Sequence, residues 1–178
     1  MVSVNGAALL VIDVQVKYME PEPMVTSDGP DLLDKCGGLI DAARGSGIPV
    51  IYIQHVDPDA PPDPELIAIH PQIAPQDDEP IVQKTFGSAF MKTELEDVLK
   101  KRGLGKLFMC GLATFGCMNH TVLCAVCRGY AVAVASDAHG TTPEAGPVDE
   151  QMAHFNRMWE RVGATLLKAK EIQQQFAT

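Results

Sequence analysis

A chain of 178 residues, 46% apolar and 21% charged, has the size and make-up of one globular domain built on a single core, read here over residues 1–178. A net charge of −9 with no Lys/Arg-rich block argues against nucleic acid or anionic membrane as a partner, and no apolar run approaches bilayer-spanning length. Five cysteines, an odd count without a small-domain disulfide framework, fit a reducing cytoplasm, as does an N-terminus (Met1 to Asn5) lacking the regions of a secretory leader.

The first apolar run, residues 7–14, is continuous except for Asp13 and reads as a buried parallel strand. Residues 31–44 carry apolar side chains at helical spacing (Leu32, Leu33, Cys36, Leu39, Ile40, Ala43) and stop at Gly45 and Gly47. A second strand is expected over 48–54. Residues 55–80, rich in Pro and Asp, read mostly as a long loop of the kind that covers a pocket. A short strand follows at 81–84. The spacing Thr93 to Glu96 predicts a capping box and a helix running to Gly103. Strands at 107–111, 131–136 and 164–167 alternate with helices at 117–128 and 147–161, the latter carrying the single Trp, Trp159; a polar tail closes the chain. Strands alternating with helices imply an α/β domain with a parallel sheet of about six strands, covered by helices on both faces.

In such a sheet, reactive groups gather at the carboxyl ends of the strands. Three fall there: Asp13 after the first strand, Lys84 at the end of the short one, and Cys117 after the Gly111 turn. Cys117 stands where a strand hands over to a helix, a position that favours thiolate and offers backbone N–H groups to an oxyanion. An acid within an apolar strand is costly to bury unless paired, and Lys84 is a candidate partner. Taken singly, each residue has a plain alternative: a structural anchor for Asp13, a surface charge for Lys84, a core thiol for Cys117. Their shared location points instead to an acid that handles a proton, a cation that holds negative charge, and an attacking thiolate.

Four segments, Leu10-Val-Ile-Asp13-Val-Gln15, Lys84-Thr-Phe-Gly-Ser88-Ala-Phe90, Gly111-Leu-Ala-Thr114-Phe-Gly-Cys117 and the run from Gly129 to Asp137, resemble the isochorismatase-like cysteine hydrolases, in order over residues 7–140. The resemblance implies a three-layer α/β/α, Rossmann-like fold and an Asp13–Lys84–Cys117 catalytic triad. It implies a cis peptide between Leu112 and Ala113, and an oxyanion hole formed by the N–H groups of Ala113 and Cys117. Gln15, Phe86, Phe90, Thr114 and His55 are assigned to substrate binding, with Thr114 also supporting the turn. Members that cleave the vinyl ether of isochorismate typically lack the cysteine, so its presence favours C–N hydrolysis of a small amide, carbamoyl or ureido compound through a thioester. The alternatives are an isochorismatase-type or other small-molecule hydrolase, or a non-catalytic scaffold or interaction subunit with this fold. The family commonly forms homodimers or homotetramers.

No cofactor is expected. The nicotinamidase branch carries an Asp-x-His pair in a metal site after the second strand; here Gln54-His55-Val-Asp57 stands there, with His70 further on, and no metal site is assigned. Cys124-Ala-Val-Cys127 is read as a pair of packed thiols, because ligands on one straight helix cannot surround a metal. Cys36 and Cys110 read as core thiols. Asp137 is expected to fix a turn, His139 to face the pocket or a subunit interface, and His154, Asn156, Met158 and Trp159 to pack in the core or between subunits.

Overall fold

The structure, a computed structural model, describes residues 6–20, 31–59, 63–141 and 146–177. Six strands, β1 (Ala7–Ile12), β2 (Val50–His55), β3 (Ile81–Lys84), β4 (Lys106–Leu112), β5 (Ala131–Gly140) and β6 (Thr165–Leu167), form one sheet in the order β3-β2-β1-β4-β5-β6. Every neighbouring pair is parallel. The chain leaves β1 toward one edge of the sheet and re-enters at β4 toward the other. The crevice between the carboxyl ends of β1 and β4 is therefore the topological switch point, where open α/β sheets bind ligands.

The alternation of side chains along β1 divides the core in two. Ala7, Leu9 and Val11 pack with Leu32, Cys36, Leu39 and Ile40 of α2 (Asp31–Gly45) and with Ile172 and Phe176 of α7 (Ala169–Phe176). Ala8, Leu10 and Ile12 pack on the other face. There they meet Leu95 and Leu99 of α4 (Leu95–Lys101), Val122 and Ala125 of α5 (Asn119–Cys127), and Trp159 of α6 (Val148–Arg161). Two shorter helices among the described residues, α1 (Val16–Met19) and α3 (Pro64–Ile67), are single turns.

The structure departs from the sequence reading in four places. The polar tail is the helix α7: an apolar stripe of Ala169, Ile172 and Phe176 is set among Lys, Glu and Gln, and Phe176 meets Phe108 edge-on at 4.7 Å. Burying each of the two large side chains contributes about 1.5–3 kcal/mol. Strand β5 runs past Ser136 to Gly140, because a register shift opposite Met109 and Gly111 carries the pairing across an irregularity. The capping box does not form: α4 begins one residue later than the box requires, with Glu94 at its N-cap, so Thr93 Oγ1 accepts the Leu95 N–H at 3.3 Å, while Glu96 turns outward to Lys100 (2.7 Å) and Arg128 (3.3 Å). The segment 55–80 is largely anchored where described, with Ile69 and Ile73 buried and Gln15 bridged to Ile69. Residues 60–62 of that loop, Met1 to Asn5 and Thr142 lie outside the described residues.

Candidate active site

Asp13 leaves β1 with a left-handed backbone (φ 52°), which Asp tolerates better than most residues, and its N–H is held by the Ile53 carbonyl at 3.0 Å. Across the crevice, Gly111 has φ 121°, and a Cβ there would lie 2.1 Å from the Ile12 carbonyl oxygen. Only glycine lets β4 pass this close to the end of β1. The next peptide, Leu112–Ala113, is cis. A wide turn, residues 114–118, then carries the chain into α5. The Ala113 carbonyl accepts the N–H groups of Gly116 (3.0 Å) and Met118 (3.1 Å), and Gly116 breaks the helical path at φ −107°, ψ −108°. Cys117 sits in this turn, partly exposed.

Lys84 comes from the end of β3. In the parallel register it is the partner of His55 at the end of β2. Its side chain is buried, and among the described residues its nitrogen has three polar neighbours: Asp13 Oδ2 at 2.7 Å, Cys117 Sγ at 3.1 Å and His55 Nδ1 at 3.1 Å. Asp13 is 2% exposed, and its other oxygen, Oδ1, is buried with no hydrogen-bond partner among the described residues. The structure thus brings Asp13, Lys84 and Cys117 together and adds His55 through Lys84.

The electrostatics correct one expectation. The position before α5 led to the expectation of a readily ionised thiol. Instead, burial and then the negative charge of Asp13 push Cys117 up to about 11, against the opposing pull of Lys84. Burial likewise raises the Asp13 carboxyl above its ordinary value, outweighing Lys84. Burial thus disfavours the charged form of both groups, and the Lys84 nitrogen is the cationic group that offsets it in each case.

The remaining assigned residues take varied places. Gln15 is fully buried: its amide donates to the carbonyls of His55 (3.1 Å) and Ile67 (2.7 Å) and accepts the His55 N–H (2.8 Å). Thr114 is also fully buried, with its hydroxyl 2.8 Å from the Gly140 carbonyl and 2.9 Å from His139 Nδ1. Phe90 is buried against Tyr130 and Arg128, while Phe86 is 37% exposed beneath Lys92.

His139 faces neither solvent nor a subunit surface. It is fully buried between Thr114 and Asn156 (Nε2 to Oδ1, 3.1 Å), edge-on to Trp159, and burial pushes it down to about 4. Asn156 reaches the Ser136 carbonyl and Trp159 donates to Asn119, so both are internal struts. Asp137 does not fix a turn; it accepts the Ala169 N–H at 2.7 Å and caps α7. Cys127 is exposed rather than packed, whereas Cys36 and Cys110 are buried as expected. His70 contacts Glu20 at 3.4 Å and caps the turn at Pro71.

Two residues not assigned from sequence stand beside the site. Lys17 is 3.4 Å from the His55 carbonyl, and both Lys17 and Tyr18 feel the charges of Asp13 and Cys117. Their proximity to Gln15 in the chain was the available signal. A metal would find suitable donors in Asp13, His55 and Cys117, whose ligand atoms lie within 4.8 Å of one another. The Lys84 nitrogen touches all three, however, so a cationic group of the protein already holds that centre.

The chain is similar to several known proteins. It is 31% identical over 140 residues to the isochorismatase family protein YddQ of Bacillus subtilis, covering 76% of this chain and 78% of that one. It is 33% identical over 138 residues to streptothricin hydrolase of Streptomyces noursei (75% of this chain, 54% of the relative). It is 28% identical over 148 residues to N-carbamoylsarcosine amidase of an Arthrobacter species (71% and 56%), so the chain spans about half the length of these two. An isochorismatase family protein from Burkholderia thailandensis superposes with a TM-score of 0.82 at 28% identity, covering 97% of this chain and 96% of that structure. With the Isochorismatase domain matching residues 7–171, the chain belongs to the isochorismatase-like hydrolase superfamily.

Proposed function

We propose that this protein is a cysteine hydrolase that cleaves a C–N bond of a small amide, carbamoyl or ureido compound, without a metal or cofactor. The observation that carries the reading is the convergence of Asp13 Oδ2 (2.7 Å) and Cys117 Sγ (3.1 Å) on the buried Lys84 nitrogen, at the switch point of the sheet. The name of one relative, N-carbamoylsarcosine amidase, supports C–N chemistry.

In this reading the Cys117 proton moves to Asp13, whose Oδ1 is an open acceptor. The shift converts carboxylate and thiol into carboxylic acid and thiolate, so no second charge is buried and Lys84 remains paired throughout. The thiolate attacks the carbonyl carbon, and the N–H groups of Ala113 and Cys117 receive the oxyanion. Asp13 returns its proton to the leaving nitrogen as the C–N bond breaks, releasing ammonia or an amine and leaving a thioester on Cys117. Water then attacks the thioester as Asp13 takes a proton from it; the C–S bond breaks, the acid departs, and the thiol is re-formed. Gln15 and Thr114 serve by holding His55 and the 114–118 turn, and Phe86 and Phe90 by shaping the surroundings of the site. We read the protein as cytoplasmic and as a homodimer or homotetramer; no described helix is long and apolar enough to cross a membrane.

The test is ammonia or amine release from a panel of small amides, carbamoyl and ureido compounds, with native protein and Cys117→Ala, each with and without chelator. Turnover that disappears in Cys117→Ala and survives chelation supports the reading. Turnover that persists in Cys117→Ala, or that chelation abolishes, contradicts it.

A further inference from the structure

The Lys84 ammonium has three protons to donate, and the structure supplies three acceptors. Asp13 Oδ2 and Cys117 Sγ account for two; His55 Nδ1, at 3.1 Å, is the third. We infer that His55 is a positioning residue: it accepts the third ammonium proton and thereby fixes Lys84 against Cys117, rather than binding substrate through Nδ1. The inference rests on the reading of Cys117 as a nucleophile paired with Lys84.

Several independent features fit this role. His55 and Lys84 are register partners on adjacent parallel strands, so their side chains emerge on the same face at the sheet end. The Val56 N–H is bound to the Lys84 carbonyl at 2.9 Å, which holds the two strands together just beyond that pair. The backbone of His55 is clamped on both sides by the buried Gln15 amide, which accepts its N–H and donates to its carbonyl. Lys17, 3.4 Å from the same carbonyl, adds a further restraint. A side chain meant only to brush a varied substrate has no need of a fully buried amide fixing its main chain.

The contact also sets the tautomer. An imidazole nitrogen that accepts from an ammonium carries no proton, so the single ring proton of His55 is on Nε2. The surroundings of the ring agree with a neutral imidazole: burial disfavours its cation most, Lys84 on β3 and Lys17 on α1 disfavour it further, and Asp13 after β1 and Asp57 after β2 favour it. The balance holds His55 below its ordinary value, so it remains an acceptor at neutral pH.

The experiment needs no substrate. Iodoacetamide labelling of Cys117 is followed peptide by peptide across pH for native protein, His55→Leu and His55→Asn, with the exposed Cys127 as the internal reference. Asn offers an oxygen near the position of Nδ1; Leu offers none. Loss of one hydrogen bond to a charged group corresponds to roughly a tenfold fall in Cys117 labelling at neutral pH in His55→Leu, and to an upward shift of its titration by about one pH unit. In His55→Asn the rate recovers to within about threefold of native, since a neutral acceptor is restored. Equal losses in the Leu and Asn variants, or native behaviour in both, would overturn the inference. If His55→Leu does not fold, judged by circular dichroism, His55→Ala takes its place and the same comparison decides. A native Cys117 that fails to react at any pH would instead remove the nucleophile reading itself, which separates the two failures.

Discussion

Replacing Lys84 by Met deletes a buried cation while keeping the length and apolar character of the side chain. What remains is Asp13, 2% exposed, with its charge unmatched. Breaking a buried pair on one side costs about 3–5 kcal/mol when the survivor stays charged. The carboxyl has an escape, because it can take up a proton. Burial already holds Asp13 above its ordinary value with Lys84 present, and without Lys84 its proton affinity rises further. A carboxyl with a raised folded-state pKa destabilises the fold only above its unfolded value of about 3.9, by about 1.4 kcal/mol per pH unit until the folded pKa is reached. Lys84→Met is therefore mild near pH 4 and grows more destabilising as pH rises. Adding Asp13→Asn removes the charge and recovers most of the loss at pH 7–8. Urea titrations of the four members of this cycle between pH 4 and 8 measure the effect directly. A destabilisation by Lys84→Met that does not vary with pH, or a double variant no more stable than Lys84→Met, would refute the account of a paired buried charge.

Asp13→Asn alone separates reactivity from turnover. The Asp13 charge helps to hold the Cys117 thiol up at about 11, so its removal lets the thiol titrate lower. Iodoacetamide labelling of Cys117 at neutral pH then speeds up, while hydrolysis of any panel substrate falls by about 10²-fold or more, because no group protonates the leaving nitrogen. Slower labelling in that variant would contradict the charge assignment. Trp159→Ala empties a fully buried site and removes the hydrogen bond to Asn119; chemical denaturation should show a loss of about 3–5 kcal/mol, and a loss under 1 kcal/mol would contradict the packing described for α6.

Much of this was legible in the residues. The continuous apolar run through Leu9 to Ile12 announced a strand buried on both faces, and the recurring strand–helix rhythm fixed a parallel sheet. Asp13, Lys84 and Cys117 stood out because polar or reactive groups at strand ends have few structural duties. Three things were hidden for physical reasons. Helix α7 buries only a narrow stripe, so its polar surface masked Ile172 and Phe176. The extension of β5 depends on an irregularity in pairing with β4, which no single strand's sequence carries. The proton affinity of Cys117 depends on how deeply the fold buries it and on which oxygen of Asp13 faces Lys84, both of which are products of packing. His55 lay at a recognisable strand end, but its partner became visible only once β2 and β3 were aligned in register.

The most direct test of the central claim is the covalent state of Cys117 during turnover. With any panel compound that releases ammonia or amine, rapid acid quench and intact-mass measurement should show the chain heavier by the acyl group, with the adduct on the Cys117 peptide and absent in Cys117→Ser. Steady turnover with no adduct, when release of the nitrogen product runs ahead of the acid in a burst, or an adduct on another residue, would contradict a thioester on Cys117.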